Sequence, residues 1–397
     1  MTRVTPVYIM KFKKLAIFSD CVHYFDPEGN VVTQNPIFCK QMQALSALFE
    51  TTLLFCPFDT YRPGMTNTRY DSPAMSFYPL PSVGGNRVAD KLSILKVFPR
   101  WFRAYRKACA ESDLVYQRFP NNLNIPGAIY FRFKGKPVFG TYTGTWDDYQ
   151  GEPISFRFQK WFLHHYFRGP AGVYSTANPA NGNLFPSFSP SFTTAEWHTA
   201  SLPVAEKAAS LLSRNPFIPI FVSAGALVKS KNQQYILDSF LPLHKEGFDF
   251  RLYIAGDGPL REAYALFIAK HGLSAKVFLT GMLDEGQMKS LYRSADFVLQ
   301  ASLVEGYGKV PVEGFFYGAV PILHEVSLAS EITGNGLRGW LFDACKAESL
   351  TLLLKDICSK PADIIPKAAE GRAYALRHTM EAWVMSYYDK IDGYFGK

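Results

Sequence analysis

Little in this sequence allows a scaffold built on covalent cross-links or metal. Six cysteines in 397 residues show no C-x-x-C spacing, so they read as reduced, mostly buried thiols of a cytosolic chain. There is no HExxH and no spaced Cys/His set. His164 and His165 are adjacent, so on a helix they point about 100° apart and do not share one metal. No DxD occurs either, and no metal or other cofactor is expected. No run approaches the ~18 apolar residues of a spanning helix. The opening MTRVTPVYIMKFKKLAIFSD has no long apolar core, so no signal peptide is expected. Neither KLAIFSDC nor FVSAGAL is followed by G-x-G-x-x-G, which argues against a dinucleotide enzyme. No nucleic-acid-binding motif is present, and no nucleic-acid partner is expected.

Apolar residues make up 48% of the chain and charged residues 19%, enough for sizeable cores and too apolar for a disordered chain. The length suits two domains. Charge is placed unevenly. Residues 1–200 hold half of the 42 basic residues but only 13 of the 34 acidic ones, so the whole +8 excess lies there. Such a bias suits an anionic partner, whether acidic membrane lipid, a lipid-diphosphate acceptor or nucleic acid, although solubility alone explains it as well. Within that half, KLSILKVFPRWFRAYRK (91–107) mixes cations with aromatics, and Pro99 is expected to restart its helix. Arg100, Trp101, Arg103 and Lys107 are the candidates there for contact with a membrane or a lipid-linked acceptor; the plain alternative is a surface helix whose aromatics are core.

The most informative stretch is SLVEGYGKVPVEGFFYG (302–318). DFVLQAS before it reads as a buried parallel strand, and VEGFFYGAVPI after it as a helix opened by Pro311. The order is therefore strand, glycine turn, helix. A helix start with free N–H groups is an anion site, and glycine lets backbone approach a phosphate. Glu305 falls on the turn and Glu313 in the first helical turn, eight positions on. Carboxylates repel phosphate, so the pair suits hydroxyl groups. Phosphate with several hydroxyls describes a nucleotide sugar.

Glu305-x7-Glu313 resembles the E-x7-E motif of the family-four retaining glycosyltransferases, the group 1 glycosyl transferases. FVSAGALVKSKN (221–232), RLYIAGDGPL (251–260), VFLTGMLDEGQMKSLYRSAD (277–296) and NGLRGWLF (335–342) resemble the family's other blocks, in its order. The resemblance covers about residues 216–343. It implies an α/β chain of the GT-B fold, with two Rossmann-like parallel-sheet domains facing an interdomain cleft. Residues 1–205 would take the acceptor, 216–375 would hold the nucleotide sugar, and 376–397 would form a helix crossing back to the first domain. By the same resemblance Glu313 would bind the ribose hydroxyls and Glu305 the donor sugar. Lys231 would meet the diphosphate, and Gly306, Tyr307, Gly308, Lys309 and Val310 would offer backbone to phosphate. Gly281 and Met282 would lie near the base. Two positions depart from the pattern: a family arginine falls on Ala226 and a family histidine on Thr143. Lys229 or Lys309 is a substitute for the arginine.

In the first half, KLAIFSDC, ETTLLFCPF, SDLVYQR and KPVFGTY read as strands, and Tyr61 to Asn86 as an irregular excursion. Asp147 and Asp148 follow the last of these strands, at the end where α/β ligands bind. Either is a candidate acceptor-facing base; the plainer reading is exposed loop acids or helix caps. The expected activity is retaining, metal-independent sugar transfer from a nucleotide-diphosphate sugar to a glycan or lipid-linked glycan in cell-surface polysaccharide synthesis. The expected place is the cytoplasm, peripheral on the inner face of the cell membrane. The rival is a non-catalytic nucleotide-sugar sensor or scaffold of the same fold.

Overall fold

The computed structural model describes residues 11–65, 67–82, 88–175, 182–200 and 204–396. Three sequence expectations lie partly outside these: the opening segment before residue 11, the excursion at 61–86 and the first domain at 1–205. The chain forms two compact units, Met1–Pro190 with Met380–Lys397, and Ser191–Thr379.

The first unit holds β1 (Lys14–Phe18), β2 (His23–Phe25), β3 (Val31–Thr33), α1 (Pro36–Ser46), β4 (Thr51–Phe58), β5 (Thr68–Arg69), β6 (Met75–Pro81) and α2 (Val88–Glu111). After these come β7 (Leu114–Phe119), α3 (Asn124–Phe133), β8 (Val138–Tyr142), α4 (Ile154–His165), β9 (Ala171–Val173) and β10 (Leu184–Pro186). The sheet runs β10-β9-β8-β7-β1-β4-β2-β3-β5, with β6 also paired to β4. The pairs among β1, β4, β7, β8, β9 and β10 are parallel. Their near-continuous apolar runs are what a sheet covered on both faces requires. One face packs on Leu15, Ile17, Phe38, Leu54 and Tyr116 together with Trp383 and Tyr387 of the C-terminal helix. The other packs on Phe18, Phe55, Trp101, Tyr105 and Phe131.

Two expectations change here, and one strand pair is added. The excursion after β4 contains β6, which pairs with β4 over seven residues; Pro79 and Pro81 disguised it, and prolines are tolerated where a strand side has no partner. The long loop after β1 carries the antiparallel pair β2–β3. Helix α2 runs unbroken through Pro99 rather than restarting there.

The second unit holds α5 (Thr194–Thr199), α6 (Val204–Ser213), β11 (Ile220–Ala224), α7 (Gln233–Lys245), β12 (Arg251–Ala255), α8 (Arg261–Lys270), β13 (Val277–Gly281), α9 (Glu285–Ser294) and β14 (Phe297–Gln300). It continues with α10 (Lys309–Phe316), β15 (Val320–His324), α11 (Ala329–Thr333), β16 (Trp340–Phe342), α12 (Ser349–Ser359) and α13 (Ile364–Leu376); α14 (Met380–Phe395) returns to the first unit. All its strand pairs are parallel, in the order β13-β12-β11-β14-β15-β16. This is the doubly wound arrangement, and strand order reverses between β11 and β14. Ligands of such sheets bind outside the carboxyl ends of the strands at that reversal.

The chain changes unit at Ser191, ahead of the boundary expected at 205–216. Trp197 Nε1 donates to Arg372 O at 3.1 Å, and Glu196 pairs with Lys289 at 2.9 Å, so this segment is built onto the second unit. No helix among the described residues is long and apolar enough to cross a membrane.

Candidate functional site

The loops after β11 and β14 flank the reversal point, and they are tied together. Leu303 N donates to Ser230 O at 2.9 Å, and Lys231 Nζ donates to Glu305 Oε2 at 2.5 Å. Gln300, the last residue of β14, donates to the same carboxylate oxygen at 2.5 Å. Ser327 Oγ, after β15, donates to the Glu305 carbonyl at 2.5 Å. Glu305 is thus held from three strand ends. Lys231 ends a short 3-10 turn (Lys229–Lys231) that leads into α7.

The loop that positions Lys231 is itself clamped from β12. Gly225 N donates to Ala255 O and Leu227 N to Asp257 O, both at 2.9 Å. A Cβ on Gly256 would stand 2.0 Å from Gly225 O, and one on Gly258 2.6 Å from Leu227 O. The GDGP glycines therefore permit backbone contact that any side chain would block. Gln233 Nε2 donates to Ala226 O at 3.0 Å, and the Ala226 side chain is exposed with no polar group to offer.

Gly308 caps α10 with φ 77°, a left-handed conformation that glycine takes at little cost. The helix starts at Lys309, two residues before Pro311, so Glu313 lies just beyond its first turn rather than within it. Glu313 Oε1 accepts from Ser191 Oγ at 2.6 Å and Oε2 accepts from Tyr292 OH at 2.9 Å. Tyr292 is fully buried; burial, and then the Glu313 carboxylate, push its phenol far above the usual range, so it stays a donor. Each glutamate keeps its own set of partners. The C-terminal ends of α9 and α10 are joined by buried Lys207, which donates to Ala295 O at 2.6 Å and Tyr317 O at 3.1 Å. Burial pushes its ammonium down to about 8.

Of the turn residues, Gly306, Lys309 and Val310 are partly exposed. The Tyr307 side chain is buried instead, its ring against His378, which stacks on Tyr374 at 3.9 Å. It anchors the turn. Gly281 ends β13 with φ 75°, and Met282 beside it is exposed. The Arg261 guanidinium lies against Gly281, 3.1 Å from where a Cβ would stand. Sequence reasoning missed this cation, although it directly follows the GDGPL block.

In the first unit, Asp147 and Asp148 lie on the exposed loop between β8 and α4, with the Asp148 side chain 86% exposed. Neither caps α4, whose N-cap is Pro153. Lys160 draws the loop in, reaching Asp147 O at 3.0 Å, Asp148 Oδ1 at 3.5 Å and Glu152 Oε1 at 2.6 Å. The buried acid of this loop is Glu152, its side chain 2% exposed, and sequence reasoning passed over it. Thr143 is spent on Phe119 O, which accepts from both its N–H and its hydroxyl.

The group on α2 divides. Arg100 and Arg103 are exposed and Lys107 pairs with Glu111 at 2.5 Å, but Trp101 is 1% exposed, packed by Phe18 and Tyr105. Trp101 is a core residue, which corrects its assignment as a membrane or acceptor contact. Positions 101, 104, 105 and 108 are all buried, at the spacing of a core stripe.

Residues 212–375 match the family described as Glycosyl transferases group 1. Among curated relatives, the 2-deoxystreptamine glucosyltransferase of Streptomyces kanamyceticus is 21% identical over 179 residues, covering 44% of this chain and 46% of that protein. The matched stretch thus spans less than half of that relative's length. Among solved structures, Anabaena Alr3699/HepE in complex with UDP-glucose superposes with a TM-score of 0.67 at 14% identity, over 96% of this chain and 99% of that one. WaaG, a glycosyltransferase involved in lipopolysaccharide biosynthesis, superposes at 0.63 with 12% identity, over 96% and 100%. These likenesses establish the fold: the two parallel-sheet α/β units are those of GT-B glycosyltransferases.

Proposed function

From residues 212–375 as a group 1 glycosyl transferase domain, we propose that this protein moves a sugar from a nucleotide-diphosphate sugar to a glycan or lipid-linked glycan. The observation that carries the reading is the Lys231–Glu305 pair at the strand-order reversal, with Glu313 on the helix that follows. Lys231 and the N-terminus of α10 are cations, one formal and one partial, on the side where a diphosphate would gain charge as its bond to the sugar breaks. Glu305, once its lysine turns to phosphate, is left with Gln300 and accepts from sugar hydroxyls. Glu313 takes the ribose diol beside Tyr292. Gly281 and Met282 flank the base, and Arg261 supplies positive charge that Ala226 lacks.

On this reading configuration is retained and no metal takes part. The acceptor is handled by the first unit, with Asp147 and Asp148 on its β8 loop as the acceptor-facing acids. Lipid-linked surface polysaccharide at the inner face of the cell membrane is the setting, supported by the positive charge of residues 1–200. UDP is the first nucleotide to try, given the UDP-glucose complex of HepE.

The test is a thermal-shift panel of UDP, GDP, ADP and their common sugars on wild type and Glu313→Ala. A ligand at 100 times its Kd adds about 2.7 kcal/mol to stability. One nucleotide should stabilise wild type and not the variant; stabilisation by none refutes the donor site. A second reading, a nucleotide-sugar sensor without transfer, is favoured by Ala226 and by Thr143 being committed to Phe119. Nucleotide binding with no turnover of the bound sugar, by transfer or by hydrolysis, would select it.

A further inference from the structure

Helix α4 carries an apolar row facing away from its core. At about 100° per residue, Ile154, Phe158, Trp161 and His165 fall within about 60° of one another. Ile154 is 84% exposed, Phe158 48% and Trp161 52%, and His165 is exposed as well. Phe162 and Leu163 meet the core on the same helix. A surface helix ordinarily has one apolar side, and this one has two. The outer rings pack on one another: Phe158 and Trp161 stack at 5.6 Å, and Trp161 and His165 lie 5.5 Å apart. Beside the row runs an open groove of about 630 Å³, lined among others by Trp146, Arg157, Lys160 and His164.

The helix that carries this row has charge of one sign only. Helix α4 contains Arg157, Lys160 and two histidines and no acid. Glu152 is buried against Lys160, Asp148, the acid that lines the groove, also turns to Lys160, and Asp147 is the other exposed acid of the loop before the helix. Arg157 stays exposed next to Phe158 and Trp161. Residues 1–200, where this face lies, hold the whole positive excess of the chain. Exposed aromatic and aliphatic groups beside the exposed Arg157, on a helix without acids, fit the boundary between acyl chains and phosphate head groups.

We propose that this face of α4 docks on a bilayer rich in anionic phospholipid. Ile154, Phe158 and Trp161 enter the head-group boundary, and Arg157 with the two histidines meets the phosphates. The proposal rests on the function reading only in that a lipid-linked acceptor gives the docking a purpose. It is placed on α4 rather than α2 because Trp101 of α2 is core and Phe98 and Phe102 there are less exposed than the α4 row, at 37% and 39%.

The experiment is flotation of the full chain at low salt with vesicles of phosphatidylglycerol and phosphatidylcholine, and with phosphatidylcholine alone. Wild type, Arg157→Glu and the double variant Phe158→Ser/Trp161→Ser are compared. Wild type should float with the anionic vesicles only, and each variant should partition roughly ten-fold or more weakly. The changed residues are exposed, so circular dichroism and melting should match wild type, and so should any nucleotide-induced shift. Failure of wild type to float, equal flotation with neutral vesicles, or variants that float like wild type would each overturn the proposal. Absence of a nucleotide shift in all three proteins refutes the donor site and leaves the flotation result standing.

Discussion

The Lys231–Glu305 pair makes a prediction that depends on ligand. The nitrogen and oxygen are 2.5 Å apart and both side chains are partly buried. A pair at 4 Å near a protein surface has about 4 kcal/mol of Coulomb attraction at an effective dielectric of 20, and desolvation cancels much of it. A net coupling of about 1–2 kcal/mol is expected, above the 0.2–1 of an exposed pair. Urea unfolding of wild type, Lys231→Met, Glu305→Gln and the double variant closes the cycle and isolates that coupling. The same cycle with saturating UDP should give a smaller coupling, because the diphosphate competes with Glu305 for the ammonium. Lys231→Met should weaken UDP binding about 10- to 100-fold, the span of a lost charge-assisted contact of 1.5–3 kcal/mol. Glu305→Gln should leave UDP affinity equal or improved, since it frees Lys231. An apo coupling under about 0.5 kcal/mol would mean that the pair does not persist in solution. A coupling unchanged by UDP would sink the assignment of Lys231 to phosphate.

Three further outcomes follow from the same geometry. Tyr292→Phe removes one donor from Glu313 and should cost about 1–2 kcal/mol in urea unfolding, with a several-fold rise in the UDP Kd by calorimetry. Gly256→Ala places a methyl 2.0 Å from Gly225 O, so the Lys231 loop must shift; UDP binding should be lost, with a destabilisation above about 3 kcal/mol, and an unchanged melting temperature would contradict the backbone contact. His23 and His378 are each held neutral by burial, pushed down to about 4 from 6.5. Their folded forms bind fewer protons than the unfolded chain between those values, so stability present above about pH 6.5 is lost as pH falls towards 4, by about 3 kcal/mol for each at the lower end. His378→Phe, melted across that range, should lose less than wild type; an identical slope would show that His378 does not carry the effect.

Much of the second unit could be read along the chain because its parts are local. DFVLQAS, the glycine turn and the helix bearing Glu313 are consecutive, and strand runs and turn glycines depend on near neighbours. The parallel α/β class of both units was legible for the same reason. Glu313 just past the first turn of α10 is an error of two residues in a helix start, which Pro311 invited. Tyr292 sat within a block already singled out, but nothing along the chain tied its hydroxyl to Glu313, 21 positions on.

The alternation of strand and helix, the glycine turns and the basic bias of residues 1–200 are all legible along the chain, since they follow from composition and short-range periodicity. Which way side chains face, and which distant groups meet, depends on the folded packing. It turned Trp101 into the core and left Trp161 outside, although both stand among cations and aromatics on basic helices. It recovered β6 through pairing with β4, which its prolines hid. It brought Ser191 to Glu313 across 122 positions and buried Glu152 on Lys160 while Asp148 stayed at the surface. Such contacts arise from packing of elements far apart in the chain, and local pattern carries no record of them.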